Sequence, residues 1–383
     1  MPGAEVPVDT KPESDMPAKI IISGGGTGGH VFPAIAIANA IKKIAPDAAI
    51  LFVGAKGKLE MEKVPQAGYP IEGLPVSGFQ RKLTFRNLLF PFRLLISWWK
   101  ARRIVARFRP DVAVGVGGYA SGQTLSVAAG LGIPTVLQEQ NSFPGVTNKL
   151  LAKRAKKICV AYDGMERFFP KGKIILTGNP VRSDFFKNLE GKRAEAIEYF
   201  GFDSGRKTIF VFGGSLGART LNEAVAAGRA LLEEHKDVQL LWQVGRIYAS
   251  TYQACETAQL PNVKTQVFID RMDLAYAAAD LIIGRAGALT ISELCLVGKP
   301  AILVPSPNVA EDHQTKNALA LVEKDAALMV RDDNAKEELL WSAMEVLKNE
   351  ELCRRLGGNI KNLAKPDADA EIAKAVLNLI KPA

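Results

Sequence analysis

Two distant segments of the sequence share the same pattern, an apolar run followed by a glycine cluster. A short β-branched run, KIIIS at 19–23, leads into the glycine cluster GGGTGGH at 24–30, and KTIFVF at 207–212 later leads into GGSLGAR at 213–219. A stretch with helical periodicity follows each cluster, so each segment is typical of a strand, a glycine turn and a helix. The chain has 383 residues, which gives room for two domains with separate hydrophobic cores. We therefore predict two α/β domains of similar construction.

The remaining apolar runs alternate with helical segments. They lie at 49–54, 111–118, 133–141, 156–162, 239–245, 263–270, 280–287 and 300–305. Strands and helices that alternate in this way form parallel sheets with helices on both faces. The predicted fold class is thus α/β, with two Rossmann-like domains whose parallel sheets face a central cleft.

Glycine and proline in GNPVR at 178–182 interrupt this alternation and mark a domain boundary. We predict an N-terminal domain at 19–180 and a C-terminal domain at 181–365. A last helix within 366–383 follows a Lys-Pro break, and we expect it to pack back on the N-terminal domain. Residues 1–18 contain acids and prolines without an apolar stretch, which predicts a disordered extension rather than a signal peptide.

Hydropathy and cysteine spacing indicate whether the chain spans a membrane and whether it contains disulfides. No run of 18 apolar residues occurs, so we expect no segment that spans a bilayer. The four cysteines stand singly, without the CxxC spacing of a metal site. This usage suits a reducing compartment and predicts no disulfide framework.

The net charge of +9 is concentrated in one segment. Between Glu72 and Asp111 there are nine basic residues, no acidic one, and several phenylalanines and tryptophans. The plainest interpretation is a loop and a helix, with some of the aromatic side chains in the core. Contact with nucleic acid or with a membrane surface are the alternatives. No nucleic-acid-binding motif accompanies the segment, so we expect no nucleic-acid partner.

The glycine turns indicate an anion site. Backbone N–H groups in such a turn can approach a phosphate, and the N-terminus of the following helix adds partial positive charge. A dinucleotide enzyme would carry an acidic residue after its second strand, but ILFVG is followed by AKGK. Two glycine turns in two similar domains therefore favour a nucleotide cleft between the domains and argue against NAD.

The segment 284–305, GRAGALTISELCLVGKPAILVP, is the most informative part of the second half. Amides of Ala288, Leu289 and Thr290 at a helix start could bind a phosphate, and Glu293 could accept hydrogen bonds from a ribose diol. The alternative is that Glu293 interacts with the helix dipole while Thr290 or Ser292 caps the helix. The glycine turns on both sides of the cleft favour the nucleotide interpretation.

The cleft also offers candidate groups for proton transfer. His30 follows the first glycine turn at a helix start and could take a proton near neutral pH, or it could only cap the helix or bind a phosphate. Glu139 is the competing base, and His235 is expected at the surface. We expect no catalytic metal, because the sequence interpretation identifies no Asp-x-Asp motif in the chain. Helix N-termini and turn amides could stabilise negative charge on a phosphate instead.

Together these residues resemble the MurG family of UDP-N-acetylglucosamine transferases over about 19–380. The segments that carry the resemblance are GGGTGGHVFPAIAIA at 24–38, GVGGYASG at 115–122, EQNSFPGVTNK at 139–149, GNPVR at 178–182, GGSLGARTLN at 213–222, FIDRM at 268–272, RAGALTISE at 285–293 and HQTKNA at 313–318. The resemblance implies a GT-B fold and transfer of GlcNAc from UDP-GlcNAc, with inversion, to the C4 hydroxyl of MurNAc in lipid I. The product would be lipid II, a precursor of peptidoglycan, and no cofactor is implied.

The resemblance also implies roles for individual residues. Arg182 and Ser215 would contact the UDP phosphates, and the backbone of Ile269 would read the uracil edge. The residues expected to contact the rest of the donor are Thr27, Gly28, Gly29, Asn141, Ala288, Leu289, Thr290, Ile291, Ser292, Glu293 and Gln314. The chain departs from one common form of the family at His313, where a glutamine often precedes Gln314.

A polyprenyl-linked acceptor makes membrane contact the favoured interpretation of the basic segment, and we expect a peripheral enzyme on the cytoplasmic face of the inner membrane. The side chains expected to contact anionic lipid are Phe79, Arg81, Phe85, Arg86, Phe90, Phe92, Arg93 and Trp98. The alternatives are a GT-B transferase with a soluble acceptor, a UDP-sugar epimerase on the same fold, and a non-catalytic nucleotide-sugar-binding adaptor at the membrane.

Overall fold

The computed structural model describes residues 17–76, 90–181, 186 and 188–380, with the side chains of 90–93 and 310 left out. Most of the predicted N-terminal extension, residues 1–18, lies outside this part of the chain. The described strands are β1 Lys19–Ser23, β2 Ala49–Ala55, β3 Ile71–Leu74, β4 Val112–Gly115, β5 Thr135–Glu139, β6 Lys157–Val160, β7 Ile174–Leu176, β8 Lys207–Phe212, β9 Val238–Gln243, β10 Val263–Gln266, β11 Leu281–Gly284, β12 Ala301–Leu303 and β13 Leu328–Met329.

Helices separate most of these strands. The described α-helices are α1 Gly28–Ile44, α2 Glu60–Gln66, α3 Phe90–Phe108, α4 Tyr119–Gly130, α5 Val146–Leu151, α6 Arg193–Phe200, α7 Arg219–Ala227, α8 Arg229–Glu234, α9 Ala249–Tyr252, α10 Met272–Ala278, α11 Ala288–Val297, α12 His313–Val322, α13 Ala335–Lys348, α14 Glu350–Asn362 and α15 Ala368–Leu377. Within the described ranges, no helix combines the length and apolar character that crossing a membrane requires.

The strands form two sheets in which every pair is parallel. The first has the order β3-β2-β1-β4-β5-β6-β7 and the second β10-β9-β8-β11-β12-β13. In the first sheet, Ile21 pairs with Leu51 on one side and Ala113 on the other. In both sheets the strand order reverses beside the first strand of the domain. Each glycine turn therefore leaves its sheet at the switch point where α/β proteins bind ligands.

Each sheet is covered on both faces by apolar side chains. On one face of the first sheet, α1 packs with the C-terminal helix α15, whose Ile372, Ala373 and Val376 are buried in the same cluster as Ile37 and Ile41. The other face carries buried residues of α3, α4 and α5. The second sheet lies between a cluster that includes α6, α10, α11 and α12 and a second cluster that includes α7 and α13.

Sequence periodicity missed three strands, β3, β7 and β13. All three lie at the edge of a sheet, and none has more than four residues. Because an edge strand is covered less completely than a central one, its sequence does not need a long apolar run. The central strands β1 and β8 occupy the predicted bounds, 19–23 and 207–212.

Candidate active site

The first glycine turn places His30 in the cleft. Helix α1 begins directly after Thr27, and His30 lies in its first turn. The imidazole Nδ1 donates a hydrogen bond to the carbonyl oxygen of Gly25 at 3.0 Å. A carbonyl oxygen can only accept, so Nδ1 carries the proton in this bond and Nε2 is left as a proton acceptor. Thr27, Gly28 and Gly29 lie around the ring and are exposed or half-buried.

Burial lowers the pKa of His30, and this is the largest influence on the ring. The hydrogen bond to Gly25 raises the pKa, His313 lowers it and Glu60 raises it, each by less than burial lowers it. The residue as a whole is half-buried. A histidine whose pKa lies below its ordinary value is unprotonated near neutral pH, which is the state a base requires.

A second pair of glycines makes room for this ring. Gly117 and Gly118 follow β4 and have φ angles of 96° and 86°. A β-carbon at Gly117 would lie 2.9 Å from His30 Nε2, and one at Gly118 would lie 2.6 Å from the Gly25 carbonyl oxygen. Both the backbone conformation and the close approach therefore require glycine at these positions.

The second glycine turn, between β8 and α7, is exposed to solvent at residues 214–216. Gly217 packs directly on Gly245, since a β-carbon at Gly217 would lie 2.3 Å from the Val244 carbonyl oxygen. Ser215 lies at the exposed tip of this turn, and its carbonyl oxygen accepts a hydrogen bond from the Arg246 amide at 3.3 Å. The side chain of Ser215 is therefore accessible from solvent.

Helix α11 presents its N-terminus between the domains. Its N-cap is Gly287, and its first backbone bond runs from the Ile291 amide to the Gly287 carbonyl oxygen at 2.9 Å. The amides of Ala288, Leu289 and Thr290 precede that bond and have no partner within the helix. Three N–H groups and the positive end of the helix dipole are the features that anion sites at helix N-termini use.

Glu293 lies one turn further along α11, where most of its surroundings are protein. The Tyr276 hydroxyl donates to Glu293 Oε2 at 3.1 Å, and Tyr276 itself packs against the rings of Phe210 and Phe212. Burial raises the pKa of Glu293 to about 7, and the bond from Tyr276 partly opposes this. A ligand that donates hydrogen bonds to a buried carboxylate stabilises its ionised form, and a ribose diol is such a ligand.

Glu139, the competing base, is buried at the end of β5 and fully engaged. Its Oε1 accepts from the Asn141 amide at 3.1 Å and from the Asn141 side chain at 3.3 Å. Its Oε2 accepts from Asn148 Nδ2 at 2.8 Å and from the Gly145 amide at 3.2 Å. Burial raises the pKa of Glu139, and these bonds lower it. Because four donors bind its two oxygens, Glu139 fixes the conformation of the loop that contains Asn141.

Two buried asparagines join the domains across the cleft. Asn317 of α12 donates to Asn141 Oδ1 at 3.1 Å and accepts from the Ser142 amide at 2.9 Å. Asn179, at the predicted boundary, accepts from Gln138 Nε2 at 2.9 Å and donates to Ser292 Oγ at 3.0 Å. Ser292, predicted to contact the donor, thus accepts from the boundary segment and donates its own proton to the Ala288 carbonyl oxygen at 3.0 Å.

The remaining predicted donor contacts lie around the same cleft. Gln314 Oε1 accepts from the Ser306 amide at 2.9 Å and so ties a loop to α12. Ile269 follows β10, and its side chain is buried in the core of the second domain. His313 begins α12 and interacts electrostatically with His30. Arg182 lies outside the described residues.

One correction concerns the expectation about metal motifs. An Asp-x-Asp triplet does occur in the chain, at Asp367 and Asp369, and the sequence interpretation overlooked it. The triplet lies at the start of α15, which packs on α1, and Asp369 accepts from the neighbouring Ala370 amide at 2.9 Å. Among the described residues, no group of three or more histidine, cysteine, aspartate or glutamate side chains could hold a metal ion.

Of the predicted membrane contacts, Phe79, Arg81, Phe85 and Arg86 lie outside the described residues, and α3 contains Phe90, Phe92 and Arg93 without described side chains. Trp98 is half-buried and packs against the core of the first domain. Its neighbour Trp99 is 65% exposed, and Leu94, Leu95 and Ile96 are exposed as well. Among the described side chains of α3, the exposed apolar ones are thus ones that the sequence interpretation did not select.

Glu60 is the functional candidate that sequence reasoning missed altogether. It begins α2, is 1% exposed, and accepts hydrogen bonds from the Gly26 amide at 2.9 Å and the Ala55 amide at 2.8 Å. A charged residue in the amphipathic stretch KLEMEKV is typical of a solvated helix face, so the sequence carried no signal for burial.

Comparison with known proteins agrees with this arrangement. Residues 20–160 match the glycosyltransferase family 28 N-terminal domain, and residues 208–371 match the glycosyltransferase family 28 C-terminal domain. The crystal structure of Acinetobacter baumannii MurG has a TM-score of 0.79 and 30% sequence identity, and the match covers 94% of this chain and all of that one. The fold and cleft therefore define a glycosyltransferase of the GT-B class, and the predicted fold class is confirmed.

Curated relatives narrow the family further. A Bacteroides fragilis protein is 57% identical over 94% of this chain and 95% of its own length. A Phocaeicola vulgatus protein is 58% identical over 94% of this chain and 96% of its own length. Both are named UDP-N-acetylglucosamine--N-acetylmuramyl-(pentapeptide) pyrophosphoryl-undecaprenol N-acetylglucosamine transferase. The chain belongs to the MurG family, as its sequence motifs predicted.

Proposed function

We propose that this chain transfers GlcNAc from UDP-GlcNAc to the C4 hydroxyl of MurNAc in lipid I, giving lipid II for peptidoglycan synthesis. Relatives more than 50% identical along nearly the whole chain support this reaction. The observation that supports it is that His30 of the first glycine turn interacts with His313 of the C-terminal domain, the domain whose helix α11 carries Glu293. A nucleotide diphosphate and an attacking hydroxyl each have a matching group in these two domains.

His30 is the proposed base. The acceptor hydroxyl attacks the anomeric carbon of the donor, its proton passes to His30 Nε2, and the bond from that carbon to the diphosphate oxygen breaks. The hydrogen bond from Nδ1 to Gly25 keeps Nε2 free of a proton. Glu139 is less suited, since four donors already occupy its oxygens. Its role is to hold Asn141 at the domain boundary.

The departing UDP is stabilised by backbone amides. The free N–H groups of Ala288, Leu289 and Thr290, together with the exposed turn at Ser215, provide donors where negative charge develops. Glu293 holds the ribose through its two oxygens, and Ile269 and Gln314 contact the base and the sugar. Arg182 completes the phosphate contacts.

The enzyme works as a peripheral protein on the cytoplasmic face of the membrane. The exposed apolar side chains Leu95, Ile96 and Trp99 of α3 are followed by exposed Arg102 and Arg103 on the same helix. Helix α4 packs between α3 and α5, and Val146 and Leu150 of α5 are 56% and 75% exposed. Apolar insertion and attraction of arginine to anionic headgroups then act together.

The test is an acceptor-dependence assay with purified protein. UDP release is measured with UDP-GlcNAc alone, with a soluble muramyl peptide, and with a lipid-linked muramyl acceptor. Release only with the lipid-linked acceptor is expected. Conversion of UDP-GlcNAc without any acceptor would indicate an epimerase, preference for the soluble acceptor would indicate a different transferase, and donor binding without turnover would indicate an adaptor.

A further inference from the structure

The peptide group between Gly25 and Gly26 is hydrogen-bonded at both ends. Its N–H, from Gly26, donates to Glu60 Oε2 at 2.9 Å, and its C=O, from Gly25, accepts from His30 Nδ1 at 3.0 Å. A peptide group is planar, so its N–H and C=O directions are fixed relative to each other. The position of Glu60 therefore sets the direction in which the Gly25 carbonyl oxygen meets the imidazole.

Glu60 is itself held in place. Its second oxygen, Oε1, accepts from the Ala55 amide at 2.8 Å, and the side chain is 1% exposed. A β-carbon at Gly25 would lie 2.1 Å from the Glu60 carboxyl group, and one at Gly54 would lie 2.5 Å from Glu60 Cγ. The glycine at position 25 thus provides the space that the carboxylate occupies beneath the turn.

We infer that Glu60 is a positioning residue that acts through the Gly25–Gly26 peptide to hold His30 as the Nδ1–H tautomer, with Nε2 directed at the acceptor hydroxyl. A carboxylate bonded to the peptide N–H polarises the peptide and strengthens its carbonyl oxygen as an acceptor. In serine hydrolases an aspartate bonded directly to the histidine fixes the tautomer in a comparable way. The inference rests on the proposed role of His30 as base.

Two ionisable groups face His30, one from each side. Glu60 beneath the turn raises the pKa of His30, and His313 from α12 lowers it. Because a base acts in its unprotonated form, turnover rises with pH through the pKa of His30. Removal of the Glu60 charge is expected to lower that pKa and to move the acidic limb of the pH profile to lower pH.

The test compares Glu60→Gln with Glu62→Gln. Glu62 lies on the same helix with its side chain 62% exposed, so its substitution controls for the loss of one charge. Glu60→Gln is expected to lower kcat about 10-fold or more and to shift the acidic limb of the pH profile to lower pH. The KM for UDP-GlcNAc is expected to stay within about two-fold, because the Glu60 side chain is 1% exposed and so is not accessible to a ligand. A kcat equal to that of Glu62→Gln would overturn the inference.

A double substitution separates this inference from the proposed base. In a His30→Ala background, Glu60→Gln is expected to cause no further loss of turnover, because its effect passes through His30. High turnover by His30→Ala alone would remove the base assignment. Low turnover by His30→Ala together with normal turnover by Glu60→Gln would remove the role of Glu60 and leave the base in place.

The unsubstituted protein provides a second test, which does not depend on the folding of a variant. Gly26 lies in an exposed turn, yet its amide is bonded to Glu60, so hydrogen exchange at Gly26 is expected to be slow. Nitrogen-15 spectra of histidine-labelled protein are expected to show His30 with its proton on Nδ1, assigned by the signals lost in His30→Ala. Exchange at the rate of an unbonded glycine, or a proton on Nε2, would overturn the inference.

Discussion

Binding of the donor should depend on pH through one carboxyl group, Glu293. Its pKa is raised to about 7 by burial, so about one tenth of the protein has this group ionised at pH 6 and about nine tenths at pH 8. Only the ionised form can accept both hydrogen bonds of a ribose diol. The dissociation constant for UDP-GlcNAc is therefore expected to be about 10-fold larger at pH 6 than at pH 8.

Calorimetric titration of UDP-GlcNAc without an acceptor measures this directly. The donor is a diphosphate diester whose charge stays constant over this range, so the pH dependence reports on the protein. Binding at pH 6 should also release close to one proton, seen as a dependence of the enthalpy on the buffer. Glu293→Gln is the matched variant, because His30 and His313 are unchanged in it.

The difference between the two proteins isolates Glu293. The variant is expected to bind more weakly than the unsubstituted protein at pH 8, with nearly constant affinity between pH 6 and pH 8. Constant affinity in the unsubstituted protein, or the same slope in Glu293→Gln, would refute a role for this carboxylate in holding the ribose.

Three further predictions concern the base, the domain contact and the membrane surface. His30→Ala should lower kcat by about 100-fold or more in the lipid-linked assay while the KM for UDP-GlcNAc changes little. The control is His235→Ala, because His235 follows α8 in the C-terminal domain and is not part of a glycine turn. Similar turnover by the two variants would contradict the assignment of His30 as base. Asn317→Ala should lower the free energy of unfolding by about 1–3 kcal/mol, because the Ser142 amide loses its buried acceptor; an unchanged denaturant midpoint would show that the contact contributes nothing. Trp99→Ser should weaken sedimentation with anionic vesicles relative to Trp341→Ser, since both tryptophans are more than 60% exposed but lie in different domains; equal binding by both variants would exclude α3 as the docking surface.

The fold could be predicted from the sequence because its central strands carry long apolar runs. Each strand that begins a domain is buried on both faces, and the glycines that follow it must be glycine for reasons of space and backbone conformation. Buried central strands and obligatory glycines can therefore be recognised from the composition and spacing of the sequence. The edge strand β13 has only two residues, which are too few to give a recognisable pattern.

The contacts between the domains could not be predicted in the same way. Asn179 and Ser292 are 113 positions apart, and Asn141 and Asn317 are 176 positions apart. An asparagine in a loop is typical of a turn, and only the packing of the two domains gives it a buried partner. The same holds for Glu60, whose burial depends on the glycine turn above it.

The choice between Trp98 and Trp99 shows the limit of residue-by-residue reasoning. Both lie in a basic, aromatic stretch, and their order in the sequence does not tell which one faces outward. The phase of α3 decides, because Ala101, Ile104 and Val105 are buried against the first sheet. This phase turns Trp99 to solvent and leaves Trp98 half-buried.

A crystal structure with UDP-GlcNAc bound would test the central claim most directly, namely that the two walls of the cleft hold a nucleotide sugar between them. The ribose diol is expected within hydrogen-bond distance of Glu293, the diphosphate at the amides of Ala288 to Thr290, and the anomeric carbon on the side facing His30 Nε2. A uridine diphosphate bound away from Glu293 and from the start of α11 would contradict the account.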